Sequence, residues 1–208
     1  MHTNSRLIVG AGGFGRELRD LLTRQTDLEL IGYLADQRPD DTGPDLGAPF
    51  LGPISSELYL EVPCLLGIGY PRPKRAAHQL MQQVGRSLAP PFVHPRAELG
   101  SDVRLAPGVI VTGGVVATTN IDLGHCVSLH PGALLGHDVT CEPYVSVMPG
   151  AAVSGNVTLA EGVFVGTNAA ILQGVSVGAW ATIGAGAVVT KDVPAKATVI
   201  GVPARQID

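Results

Sequence analysis

A six-residue hydrophobic beat runs from Val93 to Pro194 through 17 consecutive hexads without an insertion. The first position of each hexad is apolar, as at Val111, Leu123, Leu135, Cys141, Val153, Leu159 and Ile171. The fifth is Ala, Val or Ile in every hexad, from Ala97 to Val193. The fourth is Gly, Asn or Asp in 13 of 17, the residue types that tolerate a left-handed backbone. A period of six fits neither a helix nor a plain strand. It fits a β-solenoid, in which short strands meet at corners and each coil buries its apolar residues against the next. The rest of the chain has to be read around that element.

Composition narrows the function. The formal net charge of −4, with no basic run or aromatic platform, argues against nucleic acid as a partner. No apolar stretch has membrane-spanning length, and the N-terminus lacks the regions of a signal peptide. The three cysteines, Cys64, Cys126 and Cys141, show no CxxC spacing, so neither a disulfide framework nor a zinc knuckle is expected. Cys141 falls in a core position of the repeat and reads as a small buried hydrophobe. The chain reads as cytoplasmic.

Residues 1–88 follow different rules. An apolar strand over Arg6–Gly10 leads into Gly10-Ala-Gly12-Gly13-Phe-Gly15 and a helical stretch, Arg16 to Arg24. A second strand, Leu28 to Leu34, ends near Asp36, and a loop rich in Asp, Pro and Gly extends to Pro53. A third apolar segment, Pro63 to Gly69, precedes a helix over Pro73 to Val84. This alternation predicts a small parallel α/β domain, Rossmann-like, ahead of a parallel β-helix over 89–208. Gly10, Gly12 and Gly15 satisfy G-x-G-x-x-G between strand and helix, and Asp36 follows at the end of the next strand. Its distance from Gly15 suits a ribose-binding acid, with phosphates meeting backbone amides at the helix start. A tight turn without a ligand would explain the same glycines. About three strands precede the solenoid, half of a full dinucleotide fold, so a nucleotide carrying a sugar fits better than NAD.

The solenoid concentrates His125, His130 and His137 in little more than two hexads, with Asp138 following the last. Three hexads per coil place each residue above its counterpart three hexads earlier, so His137 lies one coil below Gly155. A histidine facing a glycine N–H is a candidate general base with an oxyanion donor beside it. Asp138 occupies a corner position, as Asp102, Asn120, Asn156 and Asp192 do, so turn geometry alone explains its type. His125 reads as a rim histidine. A rival reading pairs His125 and His130 as part of a zinc site resembling that of the gamma-class carbonic anhydrases. His94 is out of phase with such a site, and Pro107 and Thr112 lie one coil back, so the third ligand is missing.

Taken together, these motifs make the whole chain resemble the bacterial nucleotide-aminosugar N-acetyltransferases and sialic-acid O-acetyltransferases of the hexapeptide-repeat superfamily. Gly10 to Gly15 matches the family's nucleotide loop, Gly32 to Asp36 its nucleotide-binding strand end, and Phe92-Val-His-Pro95 the start of its solenoid. Gly136-His-Asp138 resembles the catalytic histidine with its acid, and Ser154 to Val157 the segment whose glycine amide faces the acetyl carbonyl. Ile183 to Pro194 and Gly201 to Arg205 resemble the coenzyme-A segment. The resemblance implies a left-handed β-helix, a homotrimer, and acetyl-CoA as co-substrate without a metal. It implies His137 as base, Asp138 as its partner and Gly155 as oxyanion donor. Coenzyme contacts would fall at Ser146, Gly155, Thr167, Ala185 and Lys191. Gly10, Gly12, Gly13, Gly15, Asp36 and His130 would hold a nucleotide-linked amino sugar, with Arg72 and Arg75 within reach. Three positions depart from the family: Ser146 and His130 replace a histidine and an asparagine, and Ala35 replaces the first of two acids. The expectation is acetyl transfer to an amino or hydroxyl group of the sugar, against the zinc reading and a non-catalytic nucleotide-sugar binder.

Overall fold

The computed structural model describes residues 4–24, 27–37 and 45–207; part of the expected loop after Asp36, residues 38–44, lies outside them. The chain divides into two compact units, Met1–Pro90 and Pro91–Asp208.

In the first unit β1 (Ser5–Val9), α1 (Gly13–Thr23), β2 (Glu29–Leu34), β3 (Cys64–Leu66) and α2 (Pro71–Gln83) follow in order. The three strands are parallel in the order β2-β1-β3. A parallel sheet is covered on both faces, so its strands read as continuous apolar runs. Leu7, Ile8, Val9, Leu34, Leu65 and Leu66 are accordingly buried. Leu18 and Leu22, one helical turn apart, form the buried stripe of α1. Pro71 opens α2, where a missing N–H costs nothing. The crossovers leave the carboxyl ends of all three strands at one edge of the sheet.

The second unit is a parallel β-solenoid of short strands in three sheets, of eight, six and five strands. The pairs Ser128↔Ser146, Leu135↔Val153 and Cys141↔Leu159 show that each coil takes three hexads. First- and fifth-position side chains from Val109 onward point inward and form one continuous core. Every fourth-position residue from Asp102 to Gly186 has a positive φ, including Cys126, Tyr144 and Trp180. Corner geometry therefore overrides residue preference at these last three. Gly162 makes room for one of them, since a Cβ there would collide with the Trp180 ring.

No third-position N–H enters the coil-to-coil hydrogen-bond ladder. This explains why Pro95, Pro107, Pro131, Pro143 and Pro149 all occupy that position, because a proline there removes no ladder bond. The phase breaks after Val189. Val177 pairs with Val193 and Ile183 with Val199, where a full coil would have brought Ala195 and Gly201. The last coil is therefore shorter than the others. Asp192 consequently lacks the left-handed corner conformation expected for it, and Lys196 adopts one instead. Arg205–Ile207 then folds back antiparallel on Thr198–Ile200, covering an edge that would otherwise expose unpaired backbone.

Candidate active site

Strand Leu134–Leu135 of the six-stranded sheet delivers the chain to a corner at Gly136, His137 and Asp138. Asp138 takes the left-handed turn, with φ 60°. Its carboxylate Oδ2 lies 2.7 Å from His137 Nδ1. The other oxygen, Oδ1, accepts from Asn120 Nδ2 at 2.6 Å. The Asn120 donor first, and the His137 contact second, hold the Asp138 carboxyl below the usual aspartate range. An ionised carboxylate only accepts, so Nδ1 carries the imidazole proton and Nε2 keeps its lone pair.

Nε2 faces Gly155, one coil further on. A Cβ on Gly155 would lie 2.6 Å from His137 Cε1 and 2.9 Å from Cδ2, and closer still to Nε2. Only a residue without a side chain admits the ring there. Gly136 has a similar cause, since its Cβ would lie 2.6 Å from the Gly155 nitrogen. Backbone bonds clamp successive coils together: Asn156 N–H donates to the His137 carbonyl at 2.7 Å and, one coil on, Gly174 N–H to the Gly155 carbonyl at 3.0 Å. The Gly155 N–H itself occupies a third position and donates to no acceptor among the described residues. The structure thus brings His137, Asp138 and Gly155 together and adds Asn120. Sequence reading gave Asn120 to the corner alone; its place three hexads before Asp138 is the signal that finds it.

The glycine loop separates into two classes. A Cβ on Gly15 would collide with the Gly10 carbonyl, and one on Gly67 would lie 2.7 Å from Gly15 Cα. Gly10 carries φ +101°. Packing and turn geometry explain these residues. Gly12 and Gly13 have no left-handed φ, and a Cβ at either would meet nothing within 4 Å. The protein's own structure gives no reason for glycine at those two positions, whereas close approach of a ligand at the start of α1 would require one. Asp36 Oδ1 accepts the Ile54 N–H at 3.2 Å, which fixes the carboxylate at the end of β2. Gly10, Asp36, Ile54 and Ile68, with Pro73, Ala77 and Leu80 of α2, line a cleft of about 500 Å³ at the carboxyl ends of the strands. Arg72 and Arg75, exposed on α2, are not among its lining residues.

The coenzyme expectations fall in different places. Thr167 and Ala185 are exposed in successive coils of the corner after the eight-stranded sheet, where Gly186 N–H donates to the Thr167 carbonyl at 2.8 Å. Lys191 follows the six-stranded sheet, on the corner of His137 and Gly155, and lines a second cleft of about 390 Å³ with Val193, Val199 and Arg205. Ser146 reaches neither corner. It is fully buried, and its hydroxyl pairs with Ser128 Oγ at 3.2 Å. His130 is also buried, and His125 stacks edge-on against Tyr144 with ring centroids 4.9 Å apart. Burial lowers the His125 pKa, opposed by the Glu161 carboxylate. Among the described residues no three His, Cys, Asp or Glu side chains cluster in a way that could hold a metal, so the zinc reading finds no ligand set there. No helix among them is long and apolar enough to cross a membrane.

Comparison with known proteins finds matches to both units. The profile described as PglD N-terminal domain matches residues 7–80, and that of the bacterial transferase hexapeptide (six repeats) matches residues 156–191. No curated protein matches. Among solved structures, the acetyltransferase domain of PglB from Neisseria gonorrhoeae in complex with acetyl coenzyme A is 28% identical, covers 98% of this chain and 99% of its own, and superposes with a TM-score of 0.89. PerB from Caulobacter crescentus, in complex with CoA and GDP-perosamine, is 27% identical over 98% and 97% of the two chains, with a TM-score of 0.87. WeeI from Acinetobacter baumannii is 27% identical over 97% and 99%, with a TM-score of 0.86. Solenoid and repeat define the class, a hexapeptide-repeat transferase. With its PglD-type N-terminal domain, the chain is similar over nearly its whole length to the bacterial nucleotide-sugar acetyltransferases that its motifs resemble.

Proposed function

We propose that this chain transfers the acetyl group of acetyl-CoA directly to an amine on a nucleotide-linked sugar. The observation that carries the mechanism is the His137–Asp138 pair, with its Nε2 against Gly155, whose N–H stands outside the ladder. The amine lone pair attacks the thioester carbonyl carbon while Nε2 takes the proton that the nitrogen loses. Asp138 stabilises the imidazolium so formed. The Gly155 N–H donates to the tetrahedral oxyanion, and collapse breaks the C–S bond while the His137 imidazolium returns its proton to the departing sulfur, releasing CoA as the thiol. A positioned base contributes roughly 10²–10⁴ in rate and one oxyanion donor roughly 10²–10³. A hydroxyl acceptor would use the same base. The relative that binds GDP-perosamine is an N-acetyltransferase, which favours the amine.

Residues 1–88 supply the acceptor site. Gly12 and Gly13 admit the phosphates, and Asp36 holds the ribose. Thr167, Ala185 and Lys191 carry the coenzyme side. Ser146 does not, because it is buried. Thr167 and Ala185 stand on a different corner from His137, so one coenzyme reaching both sets requires a second copy. A homotrimer meets that need. The outer face of the six-stranded sheet supports assembly, for beyond Glu98 on its first strand Val116, Leu134, Ala152, Thr118, Ser154 and Leu172 carry no charge, with both leucines exposed. Acetyl-CoA as substrate places the enzyme in the cytoplasm.

The test measures CoA release from acetyl-CoA with UDP-, GDP- and dTDP-linked 4-amino sugars. Wild-type release that falls at least a hundredfold in His137→Ala, with the oligomer intact, is the expected result. Nucleotide-sugar binding without CoA release from any of the panel would instead establish a non-catalytic binder.

A further inference from the structure

We propose that Asn120 is a positioning residue for the His137–Asp138 pair, an inference that rests on the acetyltransferase reading above. The two side chains of that pair are about half exposed, at 52% and 47%, so water competes for each. An isolated aspartate rotates freely about its last torsion, which is broad and nearly two-fold. The Asn120 amide removes that freedom. Its Nδ2 donates to Oδ1 at 2.6 Å, leaving Oδ2 directed at His137 Nδ1 at 2.7 Å. Each partner comes from a different source: Asn120 from the coil below, His137 from the adjacent residue. The carboxylate is therefore held at both oxygens, and the imidazole is fixed with its proton on Nδ1 and its lone pair toward Gly155.

The corner itself accepts Asp, Asn or Gly, since the counterparts of Asn120 in other coils are Asp102, Asp138, Asn156 and Gly174. Its φ of 53° therefore does not single out the amide. What asparagine adds is a donor. An aspartate of the same shape could only accept, and at such close range it would repel Asp138.

The test compares Asn120→Gly and Asn120→Asp. Asn120→Gly should melt at or above the wild-type temperature. Its kcat should fall about tenfold, the low end for loss of an outer-shell partner, with KM for both substrates within twofold. Asn120→Asp, nearly isosteric, should lose at least as much. Nitrogen NMR of His137 should show the Nδ1–H tautomer depleted in both variants. That readout separates failure of this proposal from failure of the acetyltransferase reading, because it needs no turnover. Wild-type kcat in Asn120→Gly, an unchanged tautomer, a loss confined to KM, or a variant that melts early would each overturn the positioning role.

Discussion

Gly155→Ala isolates the contact between base and oxyanion donor. The φ of Gly155 lies outside the left-handed region, so alanine fits its backbone. The new methyl would stand 2.6 Å from His137 Cε1 and 2.9 Å from Cδ2, where ordinary contact begins at 3.4 Å. The imidazole must therefore retreat by about 1 Å, and a displacement of that size costs roughly 10² in rate, or about 2.7 kcal/mol of transition-state stabilisation. Folding should hardly register the change. The ring is half exposed and can swing toward solvent, while replacing glycine by alanine gains about 0.4–1 kcal/mol through the unfolded chain. The assay is CoA release, with thermal melting alongside. We expect kcat to fall about a hundredfold and Tm to stay within a few degrees. Turnover within threefold of wild type would refute the apposition of Nε2 and the Gly155 amide as the reacting geometry.

The two glycine classes of the nucleotide loop should separate under mutation. Gly15→Ala, whose methyl meets the Gly10 carbonyl, should destabilise by about 1–3 kcal/mol in a denaturant melt, whereas Gly12→Ala should leave the melt unchanged and raise KM for the nucleotide sugar alone. Burial pushes the Cys141 thiol up to about 12 and the Cys64 thiol to about 11, so neither should react with Ellman's reagent at mildly alkaline pH until the protein unfolds; rapid labelling of either in the folded protein would contradict this. Asp138 is held below the ordinary aspartate range, so the folded state binds its proton more weakly than the unfolded chain does. The stability it contributes is present above the unfolded value of about 3.9 and is lost as pH falls through the lowered folded value. A carboxyl carbon titration midpoint at or above the unfolded value would contradict this.

Much of the architecture was legible because the solenoid writes its geometry into the sequence at a fixed period. The core, the corners and the stacking of His137 under Gly155 all follow from counting. The limits are equally physical. Val193 continues the apolar beat although its coil is short, so the loss of phase is invisible until the strands are paired. Tyr144 and Trp180 hold left-handed corners that their residue types do not announce. Ser146 sits at an outward position by strand alternation, yet it is buried, and periodicity along one chain does not report what covers a face. Asp138 and Asn120 were both explained by corner geometry. That explanation remains true and is incomplete, since the same two residues also hold the imidazole.

The proposed oxyanion donor bears on how this fold acquires chemistry. A third-position N–H is outside the ladder in every coil, so a donor left over from the ladder is a general product of the corner and needs no special construction at Gly155; at Glu161 the Glu142 carboxylate takes it. Several corners forfeit it, because proline fills the position at Pro131, Pro143 and Pro149. Most of the others keep the N–H but carry a side chain beside it, and Gly113 and Gly155 are the glycines among them. One coil below Gly113 stands Pro95, which offers no base; below Gly155 stands His137. On the proposed mechanism two requirements, a missing side chain and a base one coil earlier, turn a structural corner into a reaction centre. The specificity for an acceptor then has to come from outside the repeat, and the two glycines of the nucleotide loop that packing leaves unexplained are where the first unit offers it.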